Sequence, residues 1–131
     1  MEAQAVFTKV VSGIVAQGDM SYEKRKPGRG ISCLYRGPKD RRCAAGLLIS
    51  DMDYQPWMDN TQEGASTDII RVLEKAPKAL VKMLEPNIEL ITRLQGAHDD
   101  AAAAPTKKAR MAFFLEDAGR IALANNLKMP A

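Results

Sequence analysis

The 131-residue sequence predicts an α+β fold that is mostly helical, with roughly four to five helices packed around one short β-hairpin. Three observations carry this expectation. Apolar residues recur at helical spacing in several separate segments, the first being Val6, Phe7, Val10, Val11, Ile14 and Val15. One region alone, Ile31 to Cys43, alternates like a strand pair around turn residues. No internal repeat and no strand-helix alternation of a parallel sheet is present.

Ala3 to Gln17 forms an amphipathic helix closed by Gly18, a residue suited to the left-handed position after a helix. Asp19 to Gly30 contains Pro27, Gly28 and Gly30 among charges and reads as an exposed, mobile basic loop. In the hairpin, Ile31, Cys33 and Tyr35 share one face, Gly37-Pro38-Lys39-Asp40 turns the chain, and Arg41-Arg42-Cys43 returns. A turn over Gly37 to Lys39 sets Cys33 opposite Cys43, whereas a four-residue loop removes that pairing.

Ser50 caps a helical turn that Pro56 ends, and Tyr54, Trp57 and Met58 fold back on the core. Asn60 to Ala65 is a polar loop, after which Ser66 or Thr67 caps a helix bearing Ile69, Ile70, Val72 and Leu73. Pro77 interrupts that helix, and Pro86 opens the next, which carries Ile88, Leu90, Ile91, Leu94 and Ala97 and ends near His98-Asp99-Asp100. Thr106 caps a last helix with Met111, Phe114, Leu115, Ala118, Ile121 and Ala122 inward, closed by Asn125-Asn126.

Hydrophobic residues make up 46% of the chain and charged residues 27%, a balance that excludes wholesale disorder and suits one domain over residues 1–131. No segment approaches the run of about 20 apolar residues that a membrane span needs, and the N-terminus lacks a signal-peptide pattern. The expected location is the cytoplasm, where Cys33 and Cys43 are reduced thiols packed as small apolar residues.

The net charge of +3 conceals an uneven distribution. Between Ser21 and Arg42 stand Lys24, Arg25, Lys26, Arg29, Arg36, Lys39, Arg41 and Arg42 against only Glu23 and Asp40. The next basic residue is Arg71, and Asp51, Asp53, Asp59 and Glu63 fall in between. The basic segment, with Tyr35 beside it, is the candidate surface for an anionic partner: an acidic protein surface, a nucleotide or nucleic acid. For a nucleotide, the arginines would hold phosphate and Tyr35 would stack on the base.

Catalytic chemistry finds little support. Cys33, Cys43, His98 and Asp99 are zinc-ligating types, yet the cysteines stand ten positions apart rather than in a knuckle, and His98 is the one histidine. A thiol nucleophile would need that same imidazole as base. His98-Asp99 reads more simply as a capping pair at a helix end. No phosphate loop or dinucleotide fingerprint occurs, so the expectation is a non-enzymatic protein without cofactor or metal.

Cys33-Leu34-Tyr35-Arg36-Gly37-Pro38, Cys43-Ala44-Ala45-Gly46 with Leu48-Ile49, Tyr54-Gln55-Pro56 with Met58, and Leu94-Gln95-Gly96-Ala97-His98-Asp99 together resemble a widespread group of small uncharacterised phage and prophage proteins. The resemblance covers most of the chain after Ala5. Three departures stand out: Asp40 in place of the group's usual glycine, Ser50 in place of a proline, and the longer basic stretch Tyr22 to Gly30. The resemblance implies no chemistry. What it implies is an accessory protein that binds something in a bacterial host cell, and the local charge adds the expectation that it inhibits or redirects a host complex, such as a defence effector, through the basic segment.

Overall fold

The computed structural model describes residues 1–25, 30–59 and 68–130. The fold is α+β and mostly helical. Helix α1 (Ala3–Gln17) is followed by a two-stranded antiparallel hairpin of β1 (Tyr22–Lys24) and β2 (Ile31–Cys33), a 3-10 turn at Pro38–Asp40, and the short helix α2 (Ala44–Leu48). After a second 3-10 turn at Pro56–Asp59 come α3 (Ile69–Lys75), α4 (Lys78–Leu84), α5 (Ile88–Ala102) and α6 (Lys107–Ala124). None of these helices is long and apolar enough to cross a membrane.

The long helices follow from local signals. Helix α1 buries Val6, Phe7, Val10, Val11 and Ile14 and stops at Gly18, whose φ of 83° places its N–H on the carbonyl of Ile14. Val15 lies outside the inward stripe and is exposed. Thr106 caps α6 by accepting the N–H of Ala109. Helix α5 packs along α6, while α1 and α5 both hold α2, so the core fills the space between these helices. Its large members include Phe7, Ile14, Ile91, Leu94 and Phe114.

Several expectations are corrected. The hairpin pairs Tyr22 with Cys33 and Lys24 with Ile31, and Cys33 does not face Cys43 across strands. The cause is Asp59. Its carboxylate accepts the backbone N–H groups of Tyr35 and Arg36 at 2.8 and 3.0 Å, which removes them from any ladder with Arg41 to Cys43. Cys43 instead starts α2, its sulfur accepting the N–H of Gly46. Asp19, Met20 and Ser21, expected in an exposed loop, are buried, and the closing contact is Arg25 N–H to the carbonyl of Gly30. Lys26 to Arg29 lie outside the described residues, as do the loop Asn60 to Ala65 and the candidate caps Ser66 and Thr67. Asp68 performs the capping of α3. Ile70 points outward.

Helix α5 continues past His98 to Ala102, so His98-Asp99 is not a terminal capping pair. The turn after β2 places Lys39 and Asp40 at φ 59° and 62°. Glycine occupies the left-handed region without strain, whereas Lys39 and Asp40 carry a Cβ there.

Gly46 lets α2 approach the preceding segment, because a Cβ there would stand 2.6 Å from the carbonyl oxygen of Tyr35. Gly119 in α6 has open space around its Cβ position. Gly46→Ala is therefore expected to destabilise by about 1–3 kcal/mol through overpacking. Gly119→Ala should stabilise by about 0.8–1 kcal/mol through helix propensity. Urea unfolding of both variants checks the pair of opposite signs.

Candidate functional site

Three arginines of the basic segment, Arg36, Arg41 and Arg42, are paired within the chain. Arg110, on the inward stripe of α6, donates from Nε and Nη2 to the two carboxylate oxygens of Asp19 at 2.7 and 2.9 Å. Arg41 adds Nη1 at 3.2 Å, and the backbone N–H of Met20 donates to the same carboxylate at 2.7 Å. Burial alone would raise the Asp19 pKa, but the hydrogen bonds from Arg110 and Met20 and the charges of Arg110 and Arg41 outweigh it and hold the carboxyl below its ordinary value. The guanidinium of Arg110 also lies 5.0 Å from the ring centroid of Tyr22, which fastens β1 to α6.

Arg36 has an equally internal task. It donates to the carbonyls of Gly46 and Ile49 at 2.8 and 2.6 Å, closing the C-terminal end of α2, and it sits over the ring of Tyr54. Asp51 accepts from both Arg36 and Arg42. Tyr35 is 3% exposed, so it presents no ring face on which a base could stack. The clamp expected for a nucleotide is therefore not assembled by Tyr35 and these arginines. Lys24, Arg25 and Lys39 form no ion pair among the described residues, with Lys24 and Lys39 exposed and Arg25 half-buried. Lys26 and Arg29 fall outside those residues.

A second cluster surrounds His98. Donor atoms of Cys33, His98 and Asp99 lie within 4.8 Å of one another, and Cys43 is not part of this group. His98 is fully buried. The backbone N–H of Ser21 donates to Nε2 at 2.9 Å, which requires a lone pair there and leaves the ring proton on Nδ1, 2.9 Å from Asp99 Oδ1. Both ring nitrogens are thus committed. A metal at this trio would have to take its imidazole lone pair from one of these two hydrogen bonds, so the residues do not fit a zinc centre as they stand.

Gln95 completes the network by accepting from Ala45 N–H and donating to Asp99, at 2.9 and 2.7 Å. The thiols are equally unsuited to nucleophilic attack. Burial, reinforced by the Asp99 charge, pushes the Cys33 thiol well above the usual range. Burial pushes Cys43 up to about 12, against the lowering contribution of the Gly46 N–H.

In the sequence, Asp19 and Arg110 carried no assigned role, and Asp59 and Gln95 appeared only in the acidic stretch and in the resembled motif. A signal existed for two of the buried polar groups: Arg110 stands four residues before Phe114, and His98 four after Leu94, each on an apolar stripe. A polar residue in such a place needs a partner inside. No known protein family matches the chain, and no curated protein or solved structure resembles it.

Asp19→Asn leaves Arg110 and Arg41 facing an uncharged group and is expected to cost about 3–5 kcal/mol at neutral pH. Because the folded pKa is depressed, the wild-type advantage is fully present above the unfolded carboxyl value of about 4 and is lost as pH falls through the folded one. Urea midpoints of both proteins at neutral and acidic pH test the magnitude and the convergence. For the thiols, alkylation by iodoacetamide at about pH 8.5 should be slow in the native protein and fast once it is unfolded, where a free thiol titrates near that pH.

Proposed function

We propose that the protein is a phage-encoded, non-enzymatic binding protein that acts in the cytoplasm of a bacterial host, inhibiting or redirecting a host complex such as a defence effector. The docking element is the basic end of the hairpin, and its partner is an acidic protein surface. The observation that carries this reading is the division of labour among the basic residues. Arg41 pairs with the buried Asp19, and Arg36 and Arg42 pair with Asp51 at the surface, while Lys24, Arg25 and Lys39 have no ion pair among the described residues. Unpaired exposed cations steer association with an acidic partner and set its orientation.

The mounting supports the same reading. The strand that ends in Lys24, with Arg25 next to it, is joined to the core by Ser21 on His98 and by Tyr22 under Arg110, so the element is held before any partner arrives. Ordering cost at the interface is correspondingly small. The protonated thiols and the committed His98 favour binding over chemistry. The resemblance to small phage proteins supplies the biological setting.

The test is affinity capture from a nuclease-treated bacterial lysate at two salt concentrations. Wild type should retain one host protein in stoichiometric amount, less at high salt, and the triple variant Lys24→Glu, Arg25→Glu, Lys39→Glu should lose it while melting like wild type. Equal retention by the variant sinks the proposal, and so does a catch that disappears with nuclease treatment. Reversal of Arg36 or Arg41 is a poor probe, because each is bonded into the fold.

A further inference from the structure

Away from the basic surface, β2, α3 and α5 enclose a cleft of about 470 Å³, a size within the range of small-molecule sites. Its walls are chiefly apolar, formed by Ile31, Tyr35, Cys43 and Ile69. Its charged groups are the carboxylates of Asp68 and Asp99, and no lysine or arginine is among the described residues lining it. Asp68 caps α3 and has Arg71 3.8 Å away, whereas Asp99 has only His98 and no lysine or arginine as an ion-pair partner among the described residues. Asp99 is also fixed in place, accepting from His98 Nδ1 and from Gln95 Nε2 while its side chain stays 45% accessible.

Gly96 adds an independent observation. It stands in the interior of α5, where glycine weakens a helix. Neither a left-handed φ nor a close neighbour demands it, since a Cβ there would meet nothing within 4 Å. What its missing side chain does is leave room in the cleft that it lines.

The geometry points to a binding site for a small organic cation, an ammonium or amidinium group on an apolar body. The charge sits against Asp99 and the body lies over Gly96 between Ile31 and Ile69. A carboxylate held by His98, Gln95 and the Cys33 thiol, with no lysine or arginine paired to it among the described residues, supplies charge-assisted hydrogen bonds, and the apolar walls supply the contact area. Anions are disfavoured by the same two carboxylates.

Methyl-labelled isoleucine in the full-length protein, titrated with benzamidinium, benzamide and benzoate up to about 10 mM, tests this at the affinity expected of a fragment. Benzamidinium should shift the Ile31 and Ile69 methyl resonances saturably, and the neutral and anionic analogues should not. Asp99→Asn keeps an oxygen for His98 and Gln95 but removes the charge, so the benzamidinium Kd should rise by about tenfold or more. Gly96→Leu should fold, since the Cβ has space, and should abolish the shifts by filling the cleft. Absence of saturable shifts, equal response to all three probes, or wild-type affinity in either variant overturns the assignment.

Discussion

A carboxylate with 3% of its side chain accessible stands between Arg110 of α6 and Arg41 of the segment before α2. A buried charge of this kind tolerates few arrangements, because either partner left alone would be a desolvated ion. Asp19 follows directly on the stop of α1 at Gly18, so the ion cluster determines where α1 ends relative to α6 and where the chain turns into β1. The Met20 N–H and the Tyr22 ring join the same cluster. Much of the placement of the hairpin on the helices comes from this one side chain.

The His98 network acts in the same way at the neighbouring position. Ser21 N–H, His98, Asp99, Gln95 and Ala45 N–H form an unbroken run of donors and acceptors from the start of the hairpin, across α5, to the first residues of α2. Each polar group named in this run has a partner, which is the condition under which such networks favour one arrangement over alternatives. The run also accounts for the chemistry the trio of Cys33, His98 and Asp99 does not offer, since the imidazole lone pair and proton are both used. What remains accessible is Asp99, a fixed acceptor at the edge of an apolar cleft.

Asp59 decides the course of the middle of the chain. By accepting from Tyr35 N–H, Arg36 N–H and the hydroxyl of Tyr54, it replaces a strand ladder with a side-chain anchor. Arg36 is then directed to the carbonyl end of α2 rather than to solvent. The basic count of the segment thus overstates the charge available to a partner. Several of its cations are counter-ions of the chain's own acids, and within the segment the described cations without an ion pair are Lys24, Arg25 and Lys39.

The mostly helical class, the span of α1, the stop at Gly18, the caps at Thr106 and the breaks at Pro77 and Pro86 were all legible in the sequence, because each depends on residues within a few positions of one another. The burial of Asp19, the tautomer of His98, the strand that Cys33 pairs with and the task of each arginine were not. They rest on partners distant along the chain, 91 positions for Asp19 with Arg110 and 77 for Ser21 with His98. A local pattern can mark His98 and Arg110 as polar residues on apolar stripes, but it does not contain the identity of the group that satisfies them. Only packing the helices brings those groups together, and with them the cleft beside Asp99.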